Sequence, residues 1–298
     1  MLPPGNVSYW VFAVPRTGKP SQCGSRREPV EHTDRSDAST PRGRIDRADQ
    51  RLGVLFLTVY LLEVAVSNVD DAVAAWSRGA DRLELNAALE LGGLTPPAGL
   101  VHAVRASVPI PIIAMIRPRA AGFTYSDREI DLMCDEIGRM GDAGVDGCAV
   151  GALHYDGSIH AGAVARFRSR IGTGTFVFHR AFDVSGYPSL ALPRLIDLGV
   201  DRVMTSGGAM SAEMGIPRIR SLREIAGARL EILPAAGIGP HNAATVLADT
   251  GCRQLHGTFR MNGHDPAGPV ASPEYVRLDE VLVADMRSVL DSFAAPRH

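Results

Sequence analysis

Gly79-Ala-Asp-Arg-Leu-Glu-Leu-Asn86 is the stretch whose reading decides the fold, because its pattern returns three more times along the chain. The other copies are Gly144-Val-Asp-Gly-Cys-Ala-Val-Gly151, Gly199-Val-Asp-Arg-Val-Met-Thr-Ser206 and Gly251-Cys-Arg-Gln-Leu-His-Gly-Thr258. Each glycine closes a helix-patterned segment, where a residue able to take positive φ is favoured. Each apolar run that follows reads as a buried strand. The glycines at 79, 144, 199 and 251 stand 65, 55 and 52 residues apart, about twice the length of one strand-helix unit. This spacing predicts strands two, four, six and eight of an α/β protein, a single (β/α)8 TIM-type barrel whose chemistry would sit at the C-terminal ends of the strands.

The rest of the chain fits that count. Leu61–Val66, Pro111–Ile116, Thr175–His179 and Glu231–Ala235 read as strands one, three, five and seven. Ser126-x-x-Glu129 is a capping box, Thr95 before Pro96 reads as an N-cap, and Asp70-Asp71 place negative charge on an early helical turn. A doubly wound open sheet is the rival arrangement, and the regular eightfold count argues against it.

At 298 residues, 45% hydrophobic and with net charge −2, the chain matches one barrel plus a tail. It has neither the basic footprint of a nucleic-acid-binding protein nor a membrane span, since its longest apolar stretch, Val54–Val66, carries Glu63 and is shorter than the roughly 20 residues a span needs. Four cysteines without zinc spacing suggest reduced thiols in a cytoplasmic protein. Residues 1–53 hold eight arginines and six prolines without sustained period, and are expected to form a disordered extension. One reading of that extension is a misassigned start codon, with the barrel itself spanning 59–298.

Side chains alternate along a strand, so the apolar positions Leu83/Leu85, Cys148/Val150 and Val203 should face the helices. Arg82, Glu84 and Asn86, with Gln254, His256 and Thr258, should then point into the barrel. Glu84 and His256 occupy equivalent inward positions on strands two and eight, and strand one between them contributes Glu63. Unpartnered buried charges cost several kcal/mol, so this arc is a candidate catalytic centre. His179 closes strand five, with Asp183 as its candidate orienting partner. His179 and Arg180 point to opposite faces of a regular strand, which favours His179 inward. Arg117 and Arg119 follow strand three and offer forked donors to a carboxylate or phosphate, or partners to barrel carboxylates such as Glu84. Ser206-Gly207 and Gly237-Ile-Gly239 follow strands six and seven. Their glycine turns suit backbone binding of an anion, or act as plain connectors.

Taken together, Leu61-Leu-Glu-Val64, Gly79–Leu85, Gly92-Gly-Leu-Thr-Pro96 and Ile116-Arg-Pro-Arg119 resemble the CutC family of copper homeostasis proteins. The resemblance continues through Phe123–Ser126, Phe178-His-Arg-Ala-Phe-Asp183, Arg202–Gly207 and Ala235-Ala-Gly-Ile-Gly239. It implies a cytoplasmic barrel, often a homo-oligomer, linked by name to copper ion binding. Family members proposed to bind Cu(I) carry cysteines where this chain has Ala65 and Asn86, and Cu(I) prefers thiolate or thioether ligands. If a metal ion binds, Glu63, Glu84 and His256 suit a harder or borderline divalent ion. Two functions stay open: metal retention, or an enzyme acting on a small anionic, phosphorylated or sugar-like metabolite.

Overall fold

The computed structural model describes residues 59–186, 188–264, 266–267 and 274–294; the expected extension over 1–53 lies outside them. Eight strands run in parallel: β1 (Leu61–Val66), β2 (Arg82–Leu85), β3 (Ile112–Met115), β4 (Gly147–Ala149), β5 (Thr175–Phe178), β6 (Arg202–Thr205), β7 (Glu231–Pro234) and β8 (Gln254–Gly257). Their order is β7-β6-β5-β4-β3-β2-β1-β8, so neighbours in sequence are neighbours in space and β1 joins β8. Across the remaining seam, the Gln254 side-chain amide donates to the Glu231 carboxylate at 3.3 Å. The four glycine-led runs are β2, β4, β6 and β8, as the repeat predicts.

Among the described residues, eight α-helices alternate with these strands: α1 (Val69–Ser77), α2 (Ala98–Ser107), α3 (Asp127–Asp142), α4 (Ala161–Ile171), α5 (Pro188–Asp197), α6 (Ile216–Ala226), α7 (Ala243–Thr250) and α8 (Glu280–Ala294). Ser126 and Glu129 form the expected capping box at α3. Thr95 is not an N-cap. The helix starts at Ala98 behind Pro97, and the Thr95 hydroxyl instead accepts from the Arg117 backbone N–H at 2.9 Å.

The aspartate of the repeat has a structural purpose. Asp81 accepts the Leu62 N–H at 2.7 Å, Asp146 the Ile112 N–H at 2.8 Å and Asp201 the Phe176 N–H at 2.8 Å. Each thereby ties one strand to the start of the preceding strand. Each also meets a helix arginine: Arg287 at 3.0 Å, Arg105 at 2.8 Å and Arg168 at 2.9 Å. Three copies of one device thus fasten the N-terminal end of the barrel.

The alternation expected of the strands holds. Leu83, Leu85, Cys148, Val150, Val203 and Leu255 join the large core between strands and helices. Ile113, Met115, Ala149, Val177, Met204, Leu233 and Ala235 form a second apolar cluster inside the barrel. Beyond the eightfold count, β9 (Arg260–His264) and β10 (Glu274–Leu278) form an antiparallel pair with Arg260 opposite Leu278. No sequence signal led to this pair.

Candidate functional site

Strand register assembles a buried ion network. Glu63 on β1 stands level with Arg82 on β2 and with His256 on β8. The Glu63 carboxylate accepts from Arg82 Nε through one oxygen and pairs with His256 Nδ1 through the other, at 2.8 Å. Arg82 also donates to Gln254 Oε1 at 2.9 Å. On the far side, His256 Nε2 faces Glu84 Oε2 at 3.9 Å, and Asn86 Nδ2 donates to the same oxygen at 3.1 Å. Glu84 Oε1 is buried with no partner among the described residues.

These neighbours decide the charges. Burial alone would raise the Glu63 pKa, but Arg82, and then His256, hold it far below the usual carboxylate range. Burial disfavours a charged His256, yet the facing Glu84 and the bond to Glu63 outweigh it and push its pKa up. The pKa of Glu84 is raised, by burial first and by Glu63 also, with His256 opposing. The result is a histidine held between two carboxyl groups, one with both oxygens engaged and one with an oxygen that has no partner among the described residues.

The second histidine is arranged oppositely. His179, just after β5, accepts the Ala181 backbone N–H at Nδ1, 3.2 Å away. Its proton therefore sits on Nε2, which is buried and without an acceptor among the described residues. Its ring packs 5.0 Å from the Phe123 ring. Gly151 makes room for it, since a Cβ there would come within 2.9 Å of the imidazole. Burial, reinforced by Arg117, lowers its pKa to about 3, so the ring stays neutral.

Glu84, His179 and His256 line one cavity of about 300 Å³ at the C-terminal ends of the strands. Arg117, Arg180 and Arg260 also line it, with Ala236, Gly237 and Ile238 of the turn after β7. Among the described residues, Glu84 is the one carboxylate on this wall.

Several sequence-derived assignments change. Arg117 reaches the cavity but is no free fork. Its guanidinium donates to the carbonyls of Leu91, Gly92, Gly93 and Ala121 and bridges two loops, and its Nε has no acceptor among the described residues. Arg119 does not line the cavity; it pairs with Glu129 at 2.5 Å at the surface. Neither arginine partners Glu84.

Asp183 does not orient His179. Its carboxylate accepts from the Thr205 and Ser206 hydroxyls and from the Ser206 and Gly208 N–H groups, the latter two at 3.0 and 3.2 Å. The turn containing Ser206 and Gly207 therefore already holds an anion, supplied by the chain itself. Gly239 donates to Asn242 Oδ1 at 3.0 Å and stays out of the cavity lining, whereas the Gly237 and Ile238 N–H groups have no acceptor among the described residues.

Arg180 and His179 both reach the mouth, because the chain enters a 3-10 turn at Arg180 and strand alternation ends there. Arg260 was invisible to strand counting because it lies on β9, outside the repeat. Its Nη2 donates to the Leu89 carbonyl at 3.2 Å while its buried Nε has no partner among the described residues.

With this geometry in hand, the comparisons are decisive for lineage. The CutC family profile matches residues 60–261, which is more than half of the chain. The chain belongs to the CutC family. It is 41% identical over 201 residues to the human copper homeostasis protein cutC homolog, covering 67% of this chain and 74% of the relative. It is also 41% identical over 219 residues to the family protein CutC of Caulobacter vibrioides, covering 72% and 89%. The crystal structure of CutC from Streptococcus agalactiae superposes with a TM-score of 0.63 at 28% identity, covering 67% of this chain and 99% of that one. Phosphonopyruvate hydrolase, at 12% identity and TM-score 0.51, shares the fold alone, covering 67% of this chain and 76% of that one.

The donor set of this CutC-family chain bears on metals. Ligand atoms of Glu63, Glu84 and His256 lie within 4.8 Å of one another. Both Glu63 oxygens, however, are already engaged by Arg82 and His256, so a divalent ion would have to break buried ion pairs beside a guanidinium. Ala65 and Asn86 line the cavity without a thiol. Cys134, Cys148 and Cys252 are buried and none of them lines it; the Cys148 thiol is pushed by burial to about 12. Two thioethers, Met115 and Met204, do line the cavity, as members of the apolar cluster inside the barrel. The described residues fit neither a thiolate site nor a resident divalent ion. Among them, no helix is long and apolar enough to cross a membrane.

Proposed function

We propose that this CutC-family chain is an enzyme that binds a small anionic metabolite at the mouth of the barrel and moves a proton on it. The observation that carries this reading is Glu84 Oε1. It is a buried carboxylate oxygen without a partner among the described residues, on a side chain that lines the cavity together with Arg117, Arg180, Arg260, His179 and His256 as well as apolar residues. Burial raises the pKa of Glu84 and so its proton affinity above that of a surface glutamate, while the facing His256 opposes that rise. Arg117 and Arg260 supply the field that draws in an anion, whereas Arg180 is paired with Asp183 at 2.8 Å.

Copper homeostasis, the role in the human relative's name, would have to reach this chain by a route other than thiolate chelation, given Ala65 and Asn86. A thermal-shift screen of the full chain tests both readings, since a ligand that binds the folded state raises Tm. Carboxylated and phosphorylated metabolites are expected to raise Tm, and Arg260→Gln is expected to remove that shift. A shift with Cu(I) under reducing conditions, and with no anion, would reverse the assignment.

A further inference from the structure

The partnerless atoms of the cavity differ in kind, and the difference narrows the ligand. Three are donors: Arg117 Nε, Arg260 Nε and His179 Nε2. Glu84 Oε1 and Asn86 Oδ1 are acceptors. Buried polar atoms are almost always paired, so a cluster of exceptions around one cavity outlines what the cavity receives. Arginine donors suit a permanent negative charge. The His179 donor is different, because the Ala181 N–H occupies Nδ1 and fixes the proton on Nε2. Phe123 and the space left by Gly151 hold that ring in place. A neutral, fixed N–H is neither a base nor an ion-pair partner. It is suited to an oxygen that gains charge during reaction.

We propose that the ligand is a small carbonyl compound bearing a carboxylate or phosphate, bound with its carbonyl oxygen on His179 Nε2 and the adjacent C–H facing Glu84 Oε1. This rests on the proton-transfer reading above. In the step, the C–H bond breaks and its electron pair forms the C=C bond of an enolate. The carbonyl π pair moves onto oxygen, where His179 Nε2–H stabilises it, and the proton forms an O–H bond on Glu84. Reversal returns a proton to the same carbon, so no co-reactant is needed.

The test is proton NMR of the full chain in D2O, with 2-oxo carboxylates in one arm and aldose and ketose phosphates in the other. Protein-dependent loss of the C–H signal beside the carbonyl is expected in one arm, which identifies the anionic group. Glu84→Gln should slow the exchange about 1,000-fold and His179→Phe about 100-fold, the latter in kcat rather than KM. His179→Gln, which keeps an N–H donor, should recover part of the loss. Tm and far-UV circular dichroism of each variant establish that it folds. Anions that raise Tm while no compound exchanges would overturn this inference and leave an anion-binding site standing. Exchange that survives Glu84→Gln would also overturn it. Absence of both Tm shifts and exchange would overturn this inference and the proposed function together.

Discussion

The two ends of the barrel are built from the same repeat and treat their polar atoms in opposite ways. At the N-terminal end, Asp81, Asp146 and Asp201 each close on a strand N–H and on a helix arginine. At the mouth, the chain leaves polar atoms unmet. Of the eight buried, partnerless side-chain atoms among the described residues, six belong to Glu84, Asn86, Arg117, Tyr125, His179 and Arg260, on inward strand positions or in segments that follow strands. A buried polar atom without a partner costs about 1–3 kcal/mol, so one end is organised for stability and the other holds donors and acceptors in reserve. The two cavity histidines sharpen the contrast. His256 has its pKa pushed up by the facing Glu84 and the bond to Glu63, and His179 is kept neutral by burial and Arg117.

The largest effect expected from breaking this contrast is on pH stability. His179 has its folded pKa lowered to about 3 from an ordinary value of 6.5. Its contribution is therefore fully present above pH 6.5 and is lost as pH falls toward 3, by several kcal/mol. His256 has a raised pKa, so its contribution has the opposite sign: present below pH 6.5 and lost as pH rises through the folded value. Urea unfolding from pH 3 to 8 should show His179→Phe flattening the acid limb, with ring NMR assigning each titration. A protonated His179 at pH 5 would contradict the assignment.

A middle-sized effect is expected at the opposite end. Asp201→Ala leaves the Phe176 N–H and Arg168 without their carboxylate and should cost about 1–3 kcal/mol, while metabolite-induced Tm shifts at the mouth stay as in the parent. Loss of those shifts would mean that the two ends are not separable. The smallest belongs to Arg119→Ala, which removes a surface pair with Glu129. It should change stability by less than about 1 kcal/mol and leave mouth binding intact, as measured by the same two assays.

How far the sequence could be read follows from how local each signal is. The glycine-aspartate-strand pattern is periodic, so it reports the barrel, and strand alternation correctly turns Glu63, Glu84 and His256 inward. Partner choice is a different matter. Arg82, two residues before Glu84, is the cation that Glu63 uses, because register sets them level across β1 and β2. Arg117 and Arg119 looked better placed in the chain but are taken up by loop carbonyls and by Glu129. Asp183 is drawn to the turn after β6 by four donors that lie more than twenty residues away in sequence.

The sequence by itself determined the eight barrel strands, their order, the inward faces of Glu63, Glu84 and His256 and the positions where thiols are missing, because these depend on spacing and residue type along one chain. Only the tertiary structure decided which charges cancel, which tautomer His179 adopts and which atoms remain unmet at the mouth. Those outcomes depend on distances of a few ångströms between residues as far apart as Glu63 and His256, and the low-dielectric interior makes each such distance worth enough to reverse a protonation state.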